Sequence, residues 1–362
     1  MRAAILLGLF AFNTALAQTP QPQVLREHIH FPPGAIWTQD ISSTMPASNS
    51  ATMTSASIGW GTGGAGGTAF QLDFSMHLLY TSWDGYSFAS LVKNSGYYTT
   101  DCESGYPFPL PPEGTAGAVE GVADYTSCGG GDCHMSVVLG NTLYESYQTS
   151  VDSSGLHSTC IMKWHLNLIY PPEGRGEGCT STDAAGFPIG TMLFSPDDVF
   201  AAAQVSNGDL GHALRFTMPN DRMRAAAYVH PASHNGAPSS SNANAIPYGA
   251  RLRLKTTFAG GKSVSTFSTN ESVRVMLRTL QKYGMFLSDG GDIPLIADDG
   301  MFSTKSWDDL SVDSHALFGI ALGDFDVMPL GTVIHYDNNE PQAECVRNHF
   351  GEDVVFSDGY NW

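Results

Sequence analysis

Short runs of β-branched and aromatic residues, each closed off by Gly, Pro, Ser or Asn, recur along almost the whole chain and restrict it to a fold built mainly of strands. The clearest lie at 70–74, 135–139, 161–169, 212–218, 225–229, 250–258 and 332–336. Arg251, Leu252, Arg253, Leu254 and Lys255 alternate, so the leucines share one face and the cations the other, as in a half-buried antiparallel strand. Only two segments read as helix. Ser195 is a cap, Pro196 occupies the first helical position, and Asp197 and Asp198 sit at the positive dipole end. The second is expected from Glu271 to about Leu287. Val273, Leu277, Leu280 and Leu287 form its stripe, Ser268 and Glu271 a capping box, and Gly290–Gly291 its stop. The expected fold class is mainly β, a single-domain β-sandwich or barrel-like fold with about two helices.

The N-terminus reads as an export signal. Arg2 precedes an apolar run at 3–12 and an Ala-Leu-Ala site, which predicts cleavage after Ala17. That run is too short to span a bilayer, which takes about 20 residues. The organisation expected is a signal peptide at 1–17, a loose Pro/Gln leader at 18–23, and one β-rich catalytic domain at 24–362. The protein would be secreted, to the extracellular space or the periplasm, with no membrane partner. In an exported chain the six cysteines imply disulfides. Five crowd between Cys102 and Cys179; a Cys160–Cys179 bridge would close one loop, and Cys345 would tie back the C-terminus. Pro-Pro-Glu-Gly at 111–114 recurs at 171–174 but not again, so no repeat architecture follows.

Composition removes several functions. Lys+Arg number 17 against 35 Asp+Glu, a net charge of −18, and no basic run exists to neutralise phosphates, so nucleic acid is excluded as a partner. A strongly anionic substrate is disfavoured unless a local basic groove overrides the net field. Walker, dinucleotide-binding, zinc-protease and serine-elbow motifs are all missing. No cofactor and no metal are expected.

What remains is a set of acids and histidines in structured segments. Asp40 follows Trp37 in Ile36-Trp37-Thr38-Gln39-Asp40; a sugar ring would stack on the Trp while the acid bonds hydroxyls, the plain alternative being a turn aspartate beside a core Trp. Glu145 shares a strand face with Leu143 and Tyr147, surroundings that raise a carboxyl pKa as a general acid requires. Asp132 and His134 project to one side of a strand, as metal ligands or as part of a surface turn. Asp183 precedes small residues and Gly186, which allow close approach, and the hydroxyls of Thr180, Ser181 and Thr182 would keep it ionised. His212 opens a strand; His230 and His234 flank Pro231 after another, and His234 is the better candidate for a proton shuttle or a hydroxyl partner. Arg215, with Arg251 and Arg253, would form a cationic patch. Asp289 to Asp292 reads as a solvated or calcium-compatible turn without EF-hand spacing.

Several stretches together resemble a family of secreted proteins with no assigned activity: 37–42, 143–145, 182–188, 212–217, 228–234, 251–255 and 282–285. The likeness spans most of the chain. Where that family's pattern has Trp ahead of the Pro in the Tyr228 segment, this chain has His230. The resemblance implies secretion and supplies no catalytic residues.

The function expected from these residues is a secreted carbohydrate-active enzyme, a glycoside hydrolase acting on a polysaccharide or oligosaccharide. Glu145 would be the acid, with Asp183 or Asp40 as base or nucleophile. Trp37, His134, His212, His234 and Arg215 would bind substrate. A polysaccharide lyase, an acid-dependent peptidase and a non-catalytic glycan-binding or adhesion protein are the alternatives.

Overall fold

The computed structural model describes residues 30–64, 67–81, 86–94, 102, 106–111, 115, 117–120, 131–337 and 346–347. The expected signal peptide and leader, Cys128 and Cys345 lie outside them. Strands dominate, and the sheets do not close into a barrel. The largest sheet has six strands in the order Leu72–Met76, Leu295–Asp298, Leu214–Met218, Met285–Gly290, Arg251–Leu254 and Phe325–Val327. It is mixed. Leu214–Met218 runs parallel to Met285–Gly290, whereas Arg251–Leu254 is antiparallel to both of its neighbours, as its alternation predicts.

A second sheet holds Cys160–His165, Thr142–Tyr147, His134–Leu139 and Leu79–Thr81 in that order. Strand alternation divides its two faces between separate apolar clusters. Val138, Leu143, Met162 and Trp164 join the main core with Phe216, Leu252 and Phe286 of the large sheet. Met135, Val137 and Ile161 turn the other way, into a smaller cluster with Phe108 and Leu156. Within the main core Trp60 is fully buried against Phe70, Phe216 and Phe325, and its indole N–H donates to Ile320 O at 2.8 Å.

Both expected helices form. Pro196–Ala203 starts in a reciprocal capping box: Asp198 N–H donates to Ser195 Oγ, and Ser195 N–H to Asp198 Oδ2. The second helix is shorter than its apolar stripe suggests. It spans Glu271–Lys282, and Asn270 rather than Ser268 caps it by accepting from Ser272 N–H. Gly284, at φ 68°, ends it; Leu287 belongs to the following strand, and Gly290 closes that strand. Two shorter helices, Ser50–Ala56 and Val264–Phe267, span too few residues to register as a periodic stripe.

The cysteine expectation is corrected at one pair. Cys160 is bonded to Cys102, 58 residues away with Cα atoms 5.2 Å apart, and not to Cys179. Cys133 and Cys179 are disulfide-bonded as well. The Cys102–Cys160 bridge anchors residue 102 to the first residue of a sheet-edge strand.

Gly284 combines a left-handed backbone with a close approach: a Cβ there would run into the Leu252 carbonyl oxygen. Gly284→Ala should therefore lower unfolding free energy by about 2–4 kcal/mol, read from urea denaturation midpoints at unchanged m-value.

Candidate functional site

The two sheets meet across a polar island in the main core. Its centre is Arg215, the second residue of the strand Leu214–Met218 and 2% exposed. Leu214 and Phe216 alternate with it and turn into apolar packing, leaving the guanidinium on the opposite face. There its Nη2 donates to Asp183 Oδ2 at 2.6 Å and its Nε to the same oxygen at 3.2 Å. Asp183 itself is fully buried and accepts a further bond from Ala185 N–H at 3.1 Å. Burial raises the Asp183 carboxyl pKa, and Arg215 works against that rise.

Glu145 approaches the island from the second sheet. It lies in a cross-strand row with Ser136 and Met162 and is fully buried. Gly190 N–H donates to its Oε1 at 2.8 Å, yet burial pushes its pKa up to about 7, so the side chain holds a proton in mildly acidic solution. His134, two positions along the same face of the neighbouring strand, donates from Nδ1 to Glu120 Oε2 at 2.6 Å and from Nε2 to Thr182 O at 2.9 Å. Burial opposes the charge on this ring, but the bond to Glu120 and its negative charge bring the pKa up to about 9. With both nitrogens donating, His134 is an imidazolium. Burial would raise Glu120 as well; the hydrogen bond and charge of His134 outweigh it and hold Glu120 below the usual range.

Two more acids complete the group. A register irregularity between Phe216 and Thr217 sets Phe216 opposite Leu287 but Thr217 opposite Asp289, skipping Ser288. The extra residue turns Asp289 to the Arg215 side, where ordinary alternation would point it away. Asp289 accepts from Ala184 N–H and Gly290 N–H, and burial, reinforced by Asp183, pushes it up to about 7. Asp73, on the edge strand Leu72–Met76, lies in the fields of Glu120 and Arg215; burial and Glu120 raise its pKa while a bond to Ser75 moderates the rise. A second register shift separates Asp73 from Met76. Asp73, Glu120 and Asp289 are partly exposed, so the island opens to solvent on their side and is sealed at Glu145 and Asp183.

Of the residues singled out in the sequence, Glu145, Asp183, His134 and Arg215 come together here. The raised pKa expected for Glu145 is found, but neither Glu145 nor Asp183 presents an atom to solvent, which corrects their assignment as groups that touch a substrate. The hydroxyls before Asp183 do not hold its carboxylate: Ser181 Oγ donates to the carbonyls of Asp183 and Phe187. Arg215 does, and it is an internal partner instead of a surface patch. Arg251 is buried, giving its guanidinium to the carbonyls of Ile36, Gln39 and Tyr283.

The remaining candidates lie elsewhere. Trp37 is 4% exposed and packs edge-on against Phe187 and Phe286, so its ring is core and not a sugar platform. Asp40 is exposed, accepts from Ser42 N–H, and feels Lys282 and Arg251; it has no part in the island. His212, expected to bind substrate, is 1% exposed and stacked on His30 at 4.1 Å, and burial, with His30 adding to it, pushes its pKa down to about 3, so the ring is neutral and lies in the core. His234 packs behind the 183–185 turn, bonding Ala184 O at 2.8 Å and facing Tyr336.

Asp73 and Glu120 are the acids that the sequence reading passed over, and Asp289, expected in a solvated or calcium-compatible turn, lies instead in the strand Met285–Gly290 and belongs to the island. Asp73 carried one signal, an acid inside the apolar run Phe70-Gln71-Leu72-Asp73-Phe74; Asp289 was hidden in a Gly-rich turn pattern. Among the described residues no group of three or more His, Cys, Asp or Glu side chains is arranged to hold a metal ion. Chemically, the island stores protons on buried Glu145 and partly exposed Asp289, fixes a positive charge at Arg215, and at its open side joins Asp73, with a raised pKa, to Glu120, with a lowered one. No family model, curated protein or solved structure matches this chain.

Two substitutions separate charge from packing. Asp183→Asn leaves Arg215 buried without its carboxylate and should destabilise the fold by about 3–5 kcal/mol in denaturant melts. For Glu145 the folded pKa of about 7 exceeds the ordinary 4.5, so the folded state binds more protons between those values and stability falls as pH rises through that window. The loss amounts to about 3 kcal/mol. Glu145→Gln should remove that part of the slope, which melts at a series of pH values between the two pKa values would record.

Proposed function

We propose that the protein is a secreted carbohydrate-active enzyme, a glycoside hydrolase, whose acid and base are Asp73 and Glu120 at the open side of the island. One observation carries this reading. The two carboxyls are partly exposed, Asp73 lies in the field of Glu120, and their pKa values are displaced in opposite directions, Asp73 upward by burial and Glu120, despite its burial, downward by His134. Hydrolysis of a glycosidic bond uses such a pair, one carboxyl protonated to meet the leaving oxygen and one ionised to activate water or attack.

The other members of the island support the pair. His134, charged and bonded to Glu120, keeps Glu120 ionised. Arg215, held by Asp183, sets the potential felt by both rim acids. Glu145 and Asp289 take up protons near neutrality, which limits the negative charge collected in the island. The leader-like N-terminus and the disulfide-bonded cysteines accord with work outside the reducing interior of a cell.

The test is digestion of a panel of neutral and acidic glycans with the purified protein, scored by new reducing ends. Asp73→Asn should reduce turnover by about 10²–10⁴-fold with melting behaviour retained; Glu120→Gln should reduce it as much and also lower stability, because it leaves the buried His134 imidazolium without its carboxylate. Activity should be bell-shaped in pH. It falls on the acid side as Glu120 gains a proton and on the alkaline side as Asp73 loses one. Full activity in both variants, or no reducing ends from any glycan, would reject the reading.

A further inference from the structure

Away from the island, a polar cleft of about 700 Å³ opens between the strand Arg251–Leu254 and the helix Glu271–Lys282. Four of the chain's 17 cationic Lys and Arg side chains line it: Arg253, Lys255, Arg278 and Lys282. Asp209 and Asp326 line it with them, and Glu271 of the same helix pairs with Arg278. Four cations thus meet three carboxylates, an excess of one positive charge on a protein whose net charge is −18.

The cations are held in place by the framework. Arg253 Nη1 donates to the carbonyls of Ile41, Ser42 and Thr44 at 2.6–3.0 Å. Arg278 Nε donates to Gly208 O at 2.7 Å and its Nη2 to Glu271 at 2.7 Å. Lys255 Nζ donates to Gly323 O at 2.6 Å, and Lys282 Nζ to Asp209 at 2.8 Å. These bonds use part of each donor set: a guanidinium has five N–H groups and an ammonium three. Arg253 Nη2 also lies 3.5 Å from Asp326, and Lys282 bonds Tyr283 as well as Asp209. Lys255 and Arg278 therefore keep the most donor capacity for a ligand, and because the side chains are already ordered, binding costs little further entropy. Ser42, Thr256, Thr257 and Gln281 add hydroxyl and amide groups to the same lining.

We infer that this cleft is a binding site for an acidic oligosaccharide, its carboxylate or sulfate groups taken by Arg253, Lys255, Arg278 and Lys282 and its hydroxyls by the neutral polar lining. Guanidinium forks match planar oxyanions, and the cleft is the local basic surface that a strongly acidic chain needs before it can hold such a ligand. The sugar part of the assignment rests on the carbohydrate reading; the oxyanion part stands on the cleft alone.

Calorimetric titration of the full chain tests it, with trigalacturonate, a sulfated disaccharide, a neutral trisaccharide of matching size, and inorganic sulfate as probes. Asp73→Asn protein serves as host so that turnover does not interfere. At least one acidic sugar should bind about tenfold or more tighter than the neutral one, and which of the two does so identifies carboxylate or sulfate as the recognised group. That binding should weaken about tenfold when ionic strength rises from about 0.02 M to about 0.5 M. Lys255→Gln and Arg278→Gln, with unchanged melting curves, should each weaken it about tenfold. Equal binding of acidic and neutral sugars, no binding, or full binding in both cleft variants would overturn the site. Sulfate binding as tightly as the sugars would overturn the oligosaccharide assignment. Loss of glycan cleavage in Asp73→Asn with acidic-sugar binding intact would separate the two sites, since the cleft does not depend on the rim acids.

Discussion

The buried ion pair between Arg215 and Asp183 is the interaction on which the rest of the polar interior depends. A guanidinium at this depth is costly to desolvate, and it is tolerated because a fully buried carboxylate meets it through two nitrogen donors. Once that charge is fixed in the central strand of the large sheet, four further acids gather within its field: Glu145, Asp289, Glu120 and Asp73. Without Arg215 they would repel one another in a medium that screens poorly. With it, the excess negative charge is reduced by protons bound to Glu145 and Asp289.

Backbone irregularity decides which acids join. Regular pairing of Leu214–Met218 with Met285–Gly290 would send Asp289 to the apolar side, where an acid has no partner. The register shift after Phe216 turns it toward Arg215, and the shift between Asp73 and Met76 breaks the edge strand beside the same group. Two local departures from the pleat therefore shape one polar site inside a core that is otherwise aromatic and aliphatic.

The surface follows a different logic. The chain is strongly acidic, yet the cleft beside Glu271–Lys282 concentrates four cations whose positions are set by carbonyls and by paired carboxylates. The island and the cleft thus differ in kind. One is a largely buried store of protons that opens at an acidic rim, and the other is an open cationic lining with hydroxyl neighbours. A substrate that is both acidic and cleaved by acid–base chemistry would use both.

Much of this was legible in the residues themselves. The spacing of apolar runs and turn formers determined a mainly β chain, the strand at 251–254 and the capped helix after Ser195, because these depend on periodicity and local hydrogen bonds. The alternation around Glu145 likewise placed it among apolar neighbours. Helix length at 271–282 was misread because Leu287 continues the apolar stripe by chance, while Gly284 acts through its backbone. Only the tertiary structure decided that Cys160 bonds Cys102, that Trp37 lies in the core, and that Asp73, Glu120 and Asp289 share one site with Arg215. Those facts rest on contacts between residues far apart in the chain and on a register shift of one residue. Composition and short-range pattern determined which elements form, and long-range packing alone determined which charges meet.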